Sequence, residues 1–532
     1  MSSLRVIAAI ARADFLERVR RHSFLLTLLF AVFLGYWAAT GRIALQLGEY
    51  RGVYTSAWIG ALVAITTTCF VSLVGFYVVK SAVDRDRTTG VGQILAATPL
   101  SKTAYTLGKF FSNFAVLSAT VLVLAICAIF MQLFVGEDPH FDAFALVSPF
   151  LLVALPSMAL TAGLAVLFET LPLLRGGIGN IAWFFVWSIL GIGLPEISGN
   201  HRLDPMGLLV VSDSMRAGAR ANIPGYKDSF SFTIADSPVK IVHSFHWQGV
   251  SWTSSEILMR VVWAGAAILF ALIAALVFDR FNPSGAFAPS LGGRKKLAKV
   301  EVANGPIGII SGAPAARAAV HLTPLDNAMH SNAFFRILIA ELRLSLKGLR
   351  WWWYAIGAGL LVAQFVTPIQ VSRGLLLGGS WIWPVLIWSG MGARETRFGT
   401  CGFLFSSPGI LSRQLPACWL AGLIAALLTG AGTILRLCVA RDLKDLSGVL
   451  AGAVFVPTLA LALGVVSGSG KFFEGLYTFL WYVGPMNHTY ALDYTGAASG
   501  SNVLSIALKY LAVSAALCAA AYVFRARQLR GN

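Results

Sequence analysis

Few residues of this chain stand in a pattern that chemistry needs. Gly468-Ser469-Gly470-Lys471-Phe472 looks like a phosphate-cradling loop. Such a loop needs a Gly five residues before Gly470 and a Ser or Thr after the Lys. Val465 and Phe472 stand there instead, so no ATP binding is expected from this chain. His243 and His246 are three apart with no third ligand, so no metal is expected. Cys69, Cys127, Cys401, Cys418, Cys438 and Cys518 form no C-x-x-C, and five lie in or beside apolar runs, where they read as small core residues. Neither H-E-x-x-H nor G-x-S-x-G occurs. Lys80, Glu169 and Arg260 fall near the ends of apolar runs, where snorkelling lets a charge reach water. The chain therefore reads as a non-enzyme, with no catalytic residue, metal or cofactor of its own.

What does stand out is a polar segment that occurs twice. Asp84-Arg85-Asp86-Arg87-Thr88-Thr89-Gly90 is followed by Ile94-Leu95-Ala96-Ala97-Thr98-Pro99-Leu100-Ser101. Glu395-Thr396-Arg397-Phe398-Gly399, followed by Phe403-Leu404-Phe405-Ser406-Ser407-Pro408, matches it without a gap at a shift of 309. A second match, at a shift of 301, pairs Pro156-Ser157-Met158-Ala159-Leu160 and Gly163 with Pro457-Thr458-Leu459-Ala460-Leu461 and Gly464. A third pairs Ala13-Asp14 and Arg20 with Ala340-Glu341 and Lys347. Apolar helices resemble one another by composition alone; a polar run does not, so the chain is read as a duplication. Acid at its start, Lys102 past its end and Pro99 as a stop suit a short helix in the first copy. Such a helix cannot span a bilayer, and it presents charge and an apolar turn to a soluble partner.

The elements that must hold these segments follow from composition. Of 532 residues, 57% are hydrophobic and only 12% charged, and the mean hydropathy is +0.73; a soluble domain is about 25% charged. Twelve apolar runs approach the roughly 20 residues a bilayer needs. They are 23–40, 58–79, 110–135, 144–167, 178–195 and 257–278, then 351–372, 374–393, 414–435, 447–468, 475–492 and 503–523. Pro384 and Gly484-Pro485 interrupt two of them. Gly448 and Gly452 permit close packing in the tenth. Acids and arginines within residues 1–22 exclude a cleavable signal. With the amino terminus inside, 28 basic residues fall on inside segments and 13 outside. Both termini are thus expected in the cytoplasm, and the net charge of +17 is an orientation and lipid-surface signal that needs no nucleic acid.

The expected fold is an all-α polytopic membrane protein. Residues 1–280 and 330–532 form two parallel six-helix repeats, a pseudo-dimer around a central path. A polar, aromatic-bearing external loop (196–256) belongs to the first. Residues 281–329, with the basic run Arg294-Lys295-Lys296, read as a cytoplasmic linker. Residues 334–350 read as an amphipathic helix in the membrane interface. Arg336, Arg343, Lys347 and Arg350 lie on one face, opposite Phe335, Leu338, Leu342, Leu346 and Leu349. Its counterpart, 4–21, is less clean.

Together these features resemble the ABC-2 type permeases, the membrane subunits of a class of ABC exporters. The carrying signature is acid-Arg-x-x-Gly, apolar turn, Thr/Ser-Pro and Ser-Lys, followed by Leu107-Gly108-Lys109. The second half departs from it at Cys401-Gly402 and at Arg413-Gln414-Leu415-Pro416. The resemblance implies an interfacial helix before each first span and a coupling helix that docks on an ATPase. It assigns coupling contacts to Asp84, Asp86, Arg87, Gly90, Leu95 and Pro99 in half one. In half two they fall to Glu395, Arg397, Gly399, Leu404 and Pro408. It points to Trp183, Phe184, Trp187, Trp481 and Tyr482 as candidate path-lining residues. It implies two separate ATPase subunits carrying ATP and Mg, an inner (cytoplasmic) membrane location, and room for an accessory membrane or periplasmic protein. The rival readings are a secondary transporter or channel without an ATPase, a membrane-embedded enzyme, and a permease-like subunit that transmits conformational change without moving cargo.

Overall fold

The computed structural model describes residues 3–235, 243–281, 333–347, 349–407, 409–497 and 502–530. Nearly all of the 281–329 linker, with its basic run, lies outside the described residues, as does Pro408.

Among the described residues, nine helices are long and apolar enough to cross a membrane. Six belong to the first half: His22–Ala39, Ser56–Thr88, Lys102–Val135, Ala143–Thr170, Gly177–Ser198 and Ser254–Val277. Three belong to the second: Ile410–Thr429, Leu443–Ser467 and Val503–Arg530. The other three expected spans are shorter or broken. Trp351–Val366 has 16 residues. The next run breaks at Trp383-Pro384, where proline has no N–H to donate. Gly470–Trp481 continues only as a π-turn, Tyr482–Met486, which holds Pro485.

Burial sorts inner from outer helices. In Ser56–Thr88 and Leu443–Ser467, 89% and 83% of the apolar window is buried, against 22% in Ser254–Val277 and 28% in Val503–Arg530. Small residues let the inner and outer helices touch. A Cβ on Gly163 would stand 2.4 Å from the Ala267 carbonyl oxygen, and one on Gly448 would stand 2.7 Å from Val503 Cγ1. The 301-shift match does not carry this packing over, because Gly464 abuts the Met391 carbonyl instead.

The third helix starts at Lys102, eight residues before the expected 110. The Ser101 hydroxyl caps it by accepting from the Ala104 amide. Leu107-Gly108-Lys109 therefore lies inside the helix. The helix expected at the membrane interface in half two spans Ala333–Leu346, short of the expected 350. Its buried face carries Leu338 and Glu341, with Phe334 and Leu342 packed on Ala417 and Ala421. Phe335 and Leu346, of the expected apolar face, are exposed.

The chain is not purely helical. In the loop between the first two spans, β1 (Ile43–Gln46) and β2 (Tyr50–Gly52) reach across to the 196–256 segment. There β3 (Ser231–Ile234) pairs antiparallel with β1, Ile43 opposite Ile234, and β4 (His243–Phe245) pairs parallel with β2. With the helix Leu208–Asn222 these strands form a cap over one end of the bundle. Phe245 and Trp247 seal it edge-on against Trp58, with centroids 6.1 and 5.9 Å apart. The opposite end, here the terminal face, holds the Ser3–Val19 helix, both repeated polar segments and the end of Val503–Arg530.

Candidate functional site

On the terminal face each repeated polar segment folds as two short helices joined by a left-handed glycine. In half one these are Ala82–Thr88 and Val91–Ala97, with Gly90 at φ +78°. In half two they are Arg394–Arg397 and Cys401–Phe405, with Gly399 at φ +65°. No atom lies within 4 Å of a Cβ built on either glycine, so the backbone alone requires them.

The acids of the motif turn inward. Asp86 and Glu395 are each 7% exposed. Asp86 Oδ2 accepts from the Tyr105 hydroxyl at 2.7 Å and stands 2.8 Å from Lys109 Nζ. Glu395 Oε1 accepts from Gln414 Nε2 at 3.0 Å, and its Oε2 stands 3.5 Å from Arg525 Nη2. Tyr105 and Gln414 are themselves 309 apart, so the same grip recurs at the motif's own shift. The neighbouring arginine repeats as well. Arg85 pairs with Asp14 of the Ser3–Val19 helix, and Arg394 Nη1 donates to Glu341 Oε2 at 2.9 Å. In both halves the arginine before the motif acid ties the interfacial helix to the polar segment.

The first anchor is the stronger. Asp14 also accepts from Lys109 Nζ at 2.8 Å and from the Ser112 hydroxyl at 2.7 Å, and Arg18 Nε stands 3.1 Å away. Burial alone would raise its carboxyl. Arg18, Lys109 and Arg85 outweigh burial and hold it well below the ordinary carboxylate range. In half two Cys418, Ala421 and Ser345 stand where Lys109, Ser112 and Arg18 stand in half one. Burial accordingly prevails at Glu341, whose carboxyl is raised despite Arg394.

The remaining motif residues are placed as follows. Arg87 donates to Asp279 at 3.0 Å, just past the sixth span. Leu95 packs among Val83, Tyr105, Phe278 and Phe281. Leu404 is half-buried, and Pro99 is exposed. Asp84 and Arg397 meet each other across the halves at 3.7 Å. Arg336, Arg343, Lys347 and Arg350 are exposed. Ile94 (68% exposed) and Phe403 (80%) are open at the surface, as are Val91 and Phe398. Ile94 and Phe403 are equivalent at the 309 shift, and charge reading passed over them because it looked only at the polar positions.

Two cavities lie between the halves. One of about 660 Å³ sits under the cap, bordered by Trp187, Phe232, Arg216, Tyr482 and Thr489. The other, of about 520 Å³, opens on the terminal face and is bordered by Asp84, Arg85, Arg394, Arg397 and Lys471. The helix from Lys471 to Tyr482 separates them by about 16 Å. Rings close that distance. Phe184 meets Trp481 at 5.4 Å and Tyr482 at 5.9 Å, and Trp187 meets Tyr482 at 5.5 Å. Beneath the rings a polar chain crosses the halves. Lys80 Nζ donates to Asn180 Oδ1 at 2.8 Å, and Asn180 Nδ2 donates to Glu474 Oε2 at 2.5 Å. Lys471 Nζ stands 2.8 Å from the same Oε2.

Four of the five aromatic candidates therefore belong to the layer between the cavities. Trp183 does not. It is fully buried in the first half, stacked on Phe76 at 4.0 Å with Nε1 on the Leu73 carbonyl. The snorkelling expectation also fails, since Lys80, Glu169 and Arg260 are all buried. Glu169 takes the Val83 amide, and Arg260 takes the Asp204 carbonyl at 2.8 Å. Inward partners outcompete distant water. Of the cysteines only Cys418 is buried, and Cys438 and Cys518 are exposed.

Comparison with protein-family models, curated proteins and solved structures finds no match for this chain. Its functional reading rests on its own residues and geometry.

Proposed function

We propose that the chain is the permease subunit of an ATP-driven ABC transporter of the ABC-2 type, working with two separate ATPase subunits in the inner membrane. In this reading the terminal face is cytoplasmic, and the twelve apolar runs form two parallel six-helix repeats. The observation that carries it is the recurrence of the polar segment at a shift of 309, with Tyr105 and Gln414 on its acid at the same shift and Asp14 and Glu341 on its arginine at a shift of 327. Each copy has an internal acid grip, an arginine tie to its interfacial helix, a left-handed glycine and an exposed apolar residue at the equivalent places of Ile94 and Phe403.

In this reading the roles divide within each segment. Asp86 and Glu395 hold their segments in shape, while Ile94 and Phe403 offer the surface that a soluble ATPase would cover. Closure of the ATPase dimer would push both segments together. The cleft, the aromatic layer and the capped cavity would then be opened in turn. Export is favoured over import by the family resemblance alone.

The test is co-expression with the ATPase encoded beside this chain. Ile94→Asp and Phe403→Asp together should reduce co-purification at least tenfold while leaving the permease folded. Unchanged assembly and ATPase stimulation would sink the docking assignment and favour a channel or secondary transporter.

A further inference from the structure

A third, smaller cavity of about 30 Å³ lies beside the terminal-face cleft. On this scale a single water needs about 10–15 Å³, so the space suits two or three waters or one phosphoryl group. Arg18, Arg21, Arg85 and Lys471 line it, with Ser81 and Ser469, and no carboxylate does. Asp14, Glu17 and Glu474 pair with these cations from outside the lining.

Arg18 is the decisive residue. It is 6% exposed, its Nε faces Asp14, and its Nη1 and Nη2 have no hydrogen-bond partner. A buried guanidinium with its fork unsatisfied is costly, and an anion is what satisfies it. Opposite it stands a second, independent donor set. The Gly468-Ser469-Gly470-Lys471 run, unable to be a nucleotide loop, caps the amino terminus of the Gly470–Trp481 helix. First-turn amides and the helix dipole favour a negative group there. Gly470 is required because a Cβ would stand 2.0 Å from the Ser389 carbonyl oxygen.

The geometry points to a phosphate-ester site formed by Arg18, Arg21, Arg85, Lys471 and the Ser469 helix end, at the junction of the two halves. An ester is favoured over the bare ion because Arg21, Arg85, Lys471, Ser81 and Ser469 also border the 520 Å³ cleft. Leu344, Leu349 and Leu386 there give the organic part of the molecule an apolar wall. The same chemistry is offered by a soluble phosphate ester and by a phospholipid headgroup. The site stands on its own geometry, and its test needs no ATPase.

The full chain is purified in non-ionic detergent without phosphate. In one arm glycerol 3-phosphate is titrated and thermal unfolding followed. In the other, phosphatidylglycerol is added to the micelles and retained lipid is counted by native mass spectrometry. Saturable stabilisation by glycerol 3-phosphate without retained lipid identifies a soluble ester. One phosphatidylglycerol retained per chain identifies a headgroup. In either case Arg18→Gln and Ser469→Val should each weaken binding at least tenfold. Ser469→Val keeps the test open if loss of the buried arginine unfolds the chain. Absence of saturable binding in both arms, or binding that a folded Ser469→Val leaves unchanged, overturns the site.

Discussion

Asp14 and Glu341 occupy equivalent places and titrate in opposite senses. Asp14 is held below its unfolded value, so the stability it contributes is present above the ordinary carboxylate range and is lost only as pH falls through its depressed value. Glu341 is raised, so the folded state binds its proton more tightly, and that contribution fades as pH rises through the folded value. Lowering pH from neutral toward the ordinary Glu range should therefore slow amide exchange, after correction for intrinsic rates, in Ala333–Leu346 and leave Ser3–Val19 unchanged. Equal responses in the two helices would contradict this. Asp14→Asn should destabilise the fold by about 3 kcal/mol, because it strands buried cations. Glu341→Gln should change stability by less than about 1 kcal/mol, because the neutral amide resembles the protonated carboxyl that burial favours and Arg394 is partly hydrated. The pairing Asp14–Lys109 spans 95 residues, which is why no local pattern announced it.

At the scale of elements, apolar runs of bilayer length marked the spans, and the acid-Arg-x-x-Gly run marked both polar segments. Pro384 and Gly484-Pro485 marked the two runs of the second half that break. Two features escaped. The third helix starts early because Lys109, which reads as a boundary, is neutralised inside by Asp14 and Asp86. Strands β2 and β4 are three residues each and pair in parallel, too short for any alternation to show. Close approach of elements can be tested at Gly108. A Cβ there would stand 2.6 Å from Ile10 Cγ2. Gly108→Ala should cost about 1–3 kcal/mol by displacing the Ser3–Val19 helix, seen as faster proteolysis of that helix. Gly90→Ala meets no atom and should cost only the left-handed penalty of about 1–2 kcal/mol, with Ser3–Val19 protected as before.

For the molecule as a whole, likeness of the halves stops at the motif. Among the described residues only the first carries a cap and a threefold-charged anchor. The second replaces Lys109 and Ser112 with Cys418 and Ala421 and relies on Arg525 from its last helix. The halves meet on the terminal face through Asp84–Arg397 and Asn180–Glu474. Asp84→Cys with Arg397→Cys should therefore be bridged by a short bifunctional thiol reagent in the resting protein, since the ion pair leaves the Cβ atoms too far apart for a direct disulfide. A lower bridging yield when the reagent is added with the ATPase held closed would show that the segments move apart, and an unchanged yield would show that they move as one body. The cap has a further consequence, for synthesis. Strand β1 belongs to the first hairpin of spans, yet its partner β3 is made roughly 190 residues later, about 10–40 s at ordinary ribosome speeds. Throughout that interval Ile43 and Leu45 stand on an open strand edge at the cap end of the bundle. A nascent chain halted before Ser231 would carry that edge unpaired, ready to take a strand from a neighbour.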